Sequence, residues 1–555
     1  MRKMKFYQLI TTSAFLFLPA IHFAQLSDST VKKIDALFKS LNNKTPGCAV
    51  AVSKNGEVIF QKGYGMANLE YDIPITPKTI FHIASISKQY TAFCMLLLEK
   101  EGKLSLDDDI RKYLEYIPDF GYKITIRHLI NHTSGLRDQW QLLANAGWQL
   151  DDVITQQQII KVISMQKDLN FKPGDEYMYS NTGYTLMAEI VKKVSGLTLR
   201  EYTDKNIFKP LGMLDTHFND NYKELVPNRA YSYSQAPGRF ENAVLSYSTV
   251  GATSLMTTVL DQLKWMNNFA TGAVGGKDLI EKMKVQGILN DGRKILYANG
   301  VVVNEYKGWK TVGHNGSDAG FATYGVVFPE LGLDVVMFAN SYFNDPGDKS
   351  FKLVDILVEQ KKGAATAAKI VKTDSSFQKK FVGRFYSDRD DLMNIRWQDG
   401  KLKWGTFVPN RDMFLNKTGD NRFSVADNGT AVIIDPKKVR DSVQSFLLQT
   451  PDKTIEMKRL PAGPWNDLKD FPGRYYNKET EAFYTVVLKD GLLNMEHRKY
   501  PTQIMRAVAP DQFDLNSWWM DHIVFLRDAS GKVTGFEVNS DRVVHLKFEK
   551  VDFGK

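Results

Sequence analysis

Cysteine is nearly absent: Cys48 and Cys94 are the only two in 555 residues, so no disulfide framework holds this chain together. Cys48 lies in the strand-like run Cys48-Ala-Val-Ala-Val and Cys94 in a helix-like run, and both read as buried thiols. No uninterrupted apolar run of ~18 residues occurs, which with the ordinary composition disfavours a polytopic helical membrane protein. Charge of one sign is not concentrated either. The 72 Lys+Arg against 63 Asp+Glu leave a net +9 without a dense basic block, so nucleic acid is not an expected partner. Also missing are the Gly-x-Ser-x-Gly elbow, the His-Glu-x-x-His helix and the Gly-x-x-x-x-Gly-Lys-Ser/Thr loop, which disfavours an α/β-hydrolase, a zincin and a P-loop enzyme. His128 and His132 are four apart but lack the intervening Glu and a third ligand. They read as structural, and no metal or cofactor is expected.

What is there is ordinary globular composition, 43% hydrophobic, 24% charged and 12% aromatic, in a length that at ~150 residues per domain makes three to four domains. Arg2, Lys3 and Lys5 precede a mostly apolar stretch from Phe6 to Ala24. This reads as a secretory signal peptide over residues 1–24, interrupted by Pro19 and His22 and so unlike a membrane anchor. The expected location is exported, periplasmic or secreted. Residues 25–360 interleave helical and strand-like patterns, as in one mixed catalytic domain. Residues 361–376, beginning Lys361-Lys-Gly-Ala-Ala-Thr-Ala-Ala, are small and polar enough for a linker. After it Val382-Gly-Arg-Phe-Tyr386 lies over Pro472-Gly-Arg-Tyr-Tyr476, with Gly383 and Gly473 90 residues apart. Asp399-Gly400 and Asp490-Gly491 keep nearly the same register, each between alternating strand patterns. Two antiparallel β barrels or sandwiches follow, at 377–460 and 465–555. The aromatics Tyr475, Tyr476, Tyr484, Trp518 and Trp519 suit a barrel core better than a sugar-binding face.

Three short elements carry chemistry. In Ser85-Ile-Ser-Lys88 the hydroxyl and the amine are three residues apart, on one face of a helix, where the amine can draw off the hydroxyl's proton. The spacing recurs at Ser29/Lys32, Ser164/Lys167 and Ser376/Lys379. Only Ser85 opens an apolar helix, marked by Ala92, Met95 and Leu96 and ending near Gly102. The second element is Tyr179-Ser-Asn181, a phenol for proton transfer and an amide that both donates and accepts. Its spacing also recurs, at Tyr297/Asn299, Tyr342/Asn344 and Tyr475/Asn477. The third is His314-Asn-Gly316-Ser317, where a glycine allows close backbone approach.

These elements, with Leu129-Ile-Asn-His-Thr-Ser-Gly-Leu136, Pro210-Leu-Gly-Met213 and Gly313-His-Asn-Gly-Ser-Asp-Ala-Gly-Phe321, stand in one order over Lys32 to Asn344. In that order the sequence resembles the serine β-lactamase-related hydrolases: class C β-lactamases, low-molecular-weight penicillin-binding proteins, D-aminopeptidases and certain esterases. The resemblance implies an α+β fold, a β-lactamase/transpeptidase-like helical cluster on an antiparallel sheet. It implies Ser85 as nucleophile, Lys88 and Tyr179 as the proton-handling pair, and Asn181, His314 and Gly316 as substrate contacts. The oxyanion hole would be the backbone N–H groups of Ser85 and Ser317. The tandem β modules resemble the lipocalin-like modules attached to D-aminopeptidases.

Where class C β-lactamases usually place Lys, this chain has His314, which is not reliably charged at neutral pH. Efficient antibiotic hydrolysis is therefore not expected. The leading expectation is an exported serine hydrolase forming an acyl-enzyme on small amides or esters, D-amino-acid peptides foremost among them. Its partners would be a small-molecule or peptide substrate, with peptidoglycan fragments one candidate class, and no stable membrane span. A class C-like β-lactamase, or a penicillin-recognising sensor that acylates without turnover, stays open beside it.

Overall fold

The computed structural model describes residues 26–358, 375–387, 392–398, 400–405, 413–419, 421–425, 430–450, 454–460, 463 and 467–552. The expected signal peptide and most of the expected linker lie outside them. Ser375 and Ser376, assigned to the linker by composition, open a helix, Ser375–Phe381. Its Phe381 is buried in the apolar core of the first barrel.

Residues 26–358 are built on a six-stranded antiparallel sheet whose strands come from both ends of the segment. They are β1 (Cys48–Lys54), β2 (Glu57–Tyr64), β3 (Val302–Tyr306), β4 (Trp309–Asp318), β5 (Phe321–Phe328) and β6 (Leu333–Ala339), in the order β3-β4-β5-β6-β1-β2. Six consecutive residues of β1, Cys48 to Ser53, are buried, because both faces of the sheet are covered and the pleat sends alternate side chains to each. Cys48, Val50 and Val52 pack outward with Ile34 of the first helix, Asp28–Ala36, and Leu353 of the helix Pro346–Leu357. Ala49 and Ala51 face the helical cluster.

That cluster contains α1 (Ser87–Lys100), α2 (Gln139–Asn145) and α3 (Asn181–Ser195). α1 is buried at eleven of its fourteen positions: the apolar run Ala92–Leu98 packs into the core, and the buried polar side chains of Ser87, Lys88, Gln89 and Thr91 are hydrogen-bonded to other segments. It is the central post of the domain. Both cysteines are buried, free thiols.

The C-terminal repeats are two closed eight-stranded barrels. The first runs from Gly383–Tyr386 to Thr454–Arg459 and the second from Gly473–Asn477 to Val543–Val551. The repeat keeps its register: Arg422 and Gln512 each open the fifth strand. Asp490 and Gly491 both have positive φ, 52° and 75°, the conformation that a two-residue turn between right-twisted strands requires. Tyr475 and Tyr484 are core residues, whereas Trp518 is 39% exposed.

The second barrel is docked on α2. Gln141 and Asn145 donate to the carbonyls of Trp518 and Trp519, at 3.0 and 2.9 Å, and Tyr500 donates to Ala144 O at 3.0 Å. Arg137, wholly buried, pairs with Glu479 at 2.9 Å and also donates to the carbonyls of Val544 and His545. One continuous apolar core joins the helical cluster to this barrel, while the first barrel has a core of its own.

Candidate active site

Ser85 sits in a single 3₁₀ turn, Ala84–Ile86, that runs directly into α1. Ala84 has φ 49°, a left-handed conformation that costs an L-residue about 1–2 kcal/mol. Neighbours hold it there. Ile83 N–H donates to Leu255 O at 3.0 Å, Thr323 Oγ1 donates to Ile83 O at 2.9 Å, and Leu255 N–H donates to Ser87 Oγ at 3.1 Å. β4 passes close by because Gly316 has no side chain: a Cβ there would fall on Ile83 O and Thr323 Oγ1. The closest approach that Gly316 permits is thus to the backbone preceding Ser85.

Lys88 follows one turn later and is fully buried. Its Nζ lies 3.1 Å from Ser85 Oγ, 2.8 Å from Asn181 Oδ1 and 2.7 Å from Ala252 O. Burial pushes its pKa down to about 7, with Arg542 pushing the same way and Asp138 opposing. A neutral amine has two N–H groups and one lone pair. Asn181 Oδ1 and Ala252 O are obligate acceptors that take both N–H groups, so the lone pair faces the Ser85 hydroxyl.

Asn181, at the start of α3, is fixed from its other side. Its backbone N–H and its Nδ2 both donate to Asp138 Oδ2, at 2.7 and 2.8 Å. Asp138 caps α2 through Trp140 N–H. A hydrogen-bonded line therefore runs Ser85, Lys88, Asn181, Asp138.

The Tyr179 ring is 4.8 Å from Lys88 Nζ and packs against the His132 ring, centroids 4.2 Å apart and planes inclined by 36°. Burial raises its phenol above the ordinary value, while the Ser85 hydroxyl and the Arg542 cation pull the other way. It is a protonated phenol at neutral pH. His132 itself has φ 59° and accepts Ser180 N–H on Nδ1 at 3.1 Å, so this histidine positions the Tyr179 segment. His128 completes the N-terminal capping box of its short helix. Among the described residues no group of three His, Cys, Asp or Glu is arranged to hold a metal ion.

Along β4, His314 and Gly316 are buried while Asn315 and Ser317 are exposed, the alternation of a pleated strand. The cavity above Ser85, about 1310 Å³, is lined by Ser85, Tyr179, Asn181, Asn315, Ser317 and Asp318. His314 lies behind this surface. Its Nδ1 donates to Asn315 O at 2.5 Å and its Nε2 accepts from Tyr297 at 3.0 Å. Burial pushes its pKa down to about 4, so it is neutral and carries no charge into the cavity.

The structure adds residues that short motifs do not mark: Asp138, the Ala252 carbonyl and, from the second barrel, Arg542. Arg542 lines the cavity with its guanidinium carbon 5.0 Å from the centre of the Tyr179 ring. Its backbone is held at both ends, N–H to Gln141 Oε1 at 2.8 Å and carbonyl from Asp138 N–H at 3.1 Å and Asn170 Nδ2 at 3.0 Å. Trp518 shares the cavity wall, and Met393, Trp404, Leu448 and Met457 of the first barrel also line it. Two competing Ser-Lys copies are elsewhere, with Ser29 exposed on the first helix and Ser164 donating to Lys161 O, whereas of the Tyr-Asn copies Tyr342 lines the cavity and Tyr297 bonds His314 behind it.

The penicillin-binding protein 4* of Bacillus subtilis (strain 168) is 30% identical over 316 residues, 53% of this chain and 68% of its own. A D-aminopeptidase of Brucella anthropi is 24% identical over 534 residues, 92% of this chain and 96% of its own, so that likeness runs through both barrels. The solved octameric penicillin-binding protein homologue from Pyrococcus abyssi superposes with a TM-score of 0.54 at 25% identity, over 78% of this chain and 99% of that one. The family model described as Beta-lactamase matches residues 32–358. With that match spanning more than half of its length, the chain belongs to the Beta-lactamase family.

Proposed function

We propose that the protein is an exported serine hydrolase that cleaves small amides or esters, D-amino-acid peptides foremost, through an acyl-enzyme on Ser85. The observation that carries this reading is the Lys88 amine, whose two other acceptors leave its lone pair to Ser85. Ser85 Oγ attacks the substrate carbonyl as its proton passes to Lys88. The backbone N–H groups of Ser85 and Ser317, both at the cavity, receive the oxyanion. The tetrahedral intermediate collapses when the leaving nitrogen takes a proton from the Tyr179 phenol, which Lys88 replaces. Water then enters by the reverse proton path and releases the acid.

D-amino-acid substrates are favoured because the relative that matches through both barrels is named a D-aminopeptidase. Export is favoured by the basic and then apolar N-terminus. No described helix is long and apolar enough to cross a membrane.

The test is time-resolved intact mass spectrometry with D-alanine amide, D-alanyl-D-alanine, a short-chain ester and a cephalosporin. A transient adduct on Ser85 with steady product release supports the hydrolase. An adduct that persists for hours on every compound makes the protein a sensor instead. N-terminal sequencing of the protein recovered from the medium or periplasm should begin at Gln25.

A further inference from the structure

The strand-four motif contributes no cation to the cavity, since His314 is neutral and turned inward. A cation nevertheless reaches the cavity, from the hairpin turn between the last two strands of the second barrel, Val533–Ser540 and Val543–Val551. The Arg542 main chain is clamped by Gln141, Asp138 and Asn170, and Val544 N–H donates to Asn170 Oδ1 at 3.0 Å. The turn is therefore held to the residues that bracket the Ser85 site. Among the described residues its one ion pair is with Asp541, at 3.1 Å, whose side chain is 70% exposed. Such a solvated partner is held weakly, so a substrate anion entering the cavity can compete for the guanidinium.

The position of this cation gives it a side. Tyr179 is the group that hands a proton to the departing fragment, and Arg542 lies 5.0 Å from its ring. Asp318 follows Ser317 on the oxyanion strand and takes a hydrogen bond from Thr253; it shares the cavity wall with Asp138, Glu176, Asp514, Asp521 and Asp541, whereas Arg542 is the one Lys or Arg among the described lining residues. A cation beside the proton donor meets what the substrate carries on its leaving-group side.

We infer that Arg542 is a specificity-determining residue that binds a carboxylate on the leaving group, so that the preferred substrates release an anionic fragment such as a free amino acid. A planar guanidinium is suited to a carboxylate, which it can grip with two N–H groups. The second barrel thereby takes part in substrate selection. The inference rests on the Ser85 acyl-transfer reading above.

Two substrate pairs, each differing in one leaving-group charge, test it on the full chain: D-alanyl-D-alanine against D-alanyl-D-alaninamide, and 3-carboxyphenyl acetate against phenyl acetate. The readout is the ratio of kcat/KM within each pair for wild type, Arg542→Gln and Arg542→Lys. Wild type should prefer the carboxylate, and Arg542→Gln should lower that ratio by about 10- to 100-fold, the span of one charge-assisted hydrogen bond. Most of the change should appear in KM, and Arg542→Lys should restore part of it. A ratio unchanged by Arg542→Gln in both pairs overturns the inference even if both substrates turn over. Loss of peptide turnover with a charge preference kept on the esters removes the D-peptide reading and leaves Arg542 in place. Ester hydrolysis that survives Ser85→Ala removes the acyl-transfer reading itself.

Discussion

Asn181 gives two N–H groups to a single oxygen of Asp138, at 2.7 and 2.8 Å, and turns its own carbonyl oxygen to Lys88. Asp138 therefore decides which way the Asn181 amide faces, and its charge opposes the effect of burial on Lys88.

Asp138→Asn removes that charge with little change of shape. The Lys88 pKa should fall further, moving the acidic limb of the kcat/KM profile to lower pH, with kcat reduced about 10- to 100-fold as Asn181 loses its fixed orientation. A pH profile on one neutral ester checks this. A limb that stays in place would mean that another group titrates there.

In the wild type, the form of Lys88 that accepts a proton is the neutral one. Its pKa of about 7 makes activity fall about tenfold per unit as pH drops below ~7 and level off above it. His314, at about 4, stays neutral throughout that range, so His314→Gln should leave the limb where it is while weakening the support of Tyr297.

Ser85→Ala should remove acyl-enzyme formation, with a loss of at least ~10³ in kcat/KM. Only a half-exposed hydroxyl at a helix start is lost, so the melting temperature should stay within a few degrees. Near-wild-type rates in this variant would exclude Ser85 as the nucleophile.

Gly316→Ala places a methyl group against the Ile83 carbonyl. β4 must then move away from the turn that carries Ser85, separating the two backbone N–H groups proposed to receive the oxyanion. We expect kcat to fall about 100-fold, the effect of displacing aligned groups by about 1 Å. Stopped-flow measurement of the acylation step separates this from slower deacylation.

Arg137 and Glu479 form a buried pair across the interface with the second barrel. Glu479→Ala leaves the buried guanidinium without its counter-charge, though still bonded to the Val544 and His545 carbonyls, which should destabilise the protein by about 3 kcal/mol in urea unfolding. In a double-mutant cycle, Arg137→Met with Glu479→Met should cost less than the sum of the single changes. Additive costs would show that the two residues do not act as a pair.

Ser85, Lys88, Tyr179 and Asn181 were legible in the sequence because each short spacing maps onto one local element, a helix turn or a helix start. The strand-turn-strand repeats were legible for the same reason, since Asp490-Gly491 and the flanking alternation are local signals. Asp138, the Ala252 carbonyl and Arg542 were not, because their roles arise only when distant segments meet. His314 could be placed on a strand, but which face of the strand it takes depends on the register set by β5. Trp518 shows the same limit: composition suggested a core aromatic, and the docking of the barrel places it at the cavity.

The division of apolar cores also sets how the molecule comes apart. Because the second barrel shares a core with the helical cluster, the two melt as one cooperative unit, whereas the first barrel, with its separate core, can melt alone. The separable piece lies between the two halves of the larger unit in sequence. Calorimetry should resolve two transitions, the larger of them carrying both Ser85 and the strand Val543–Val551.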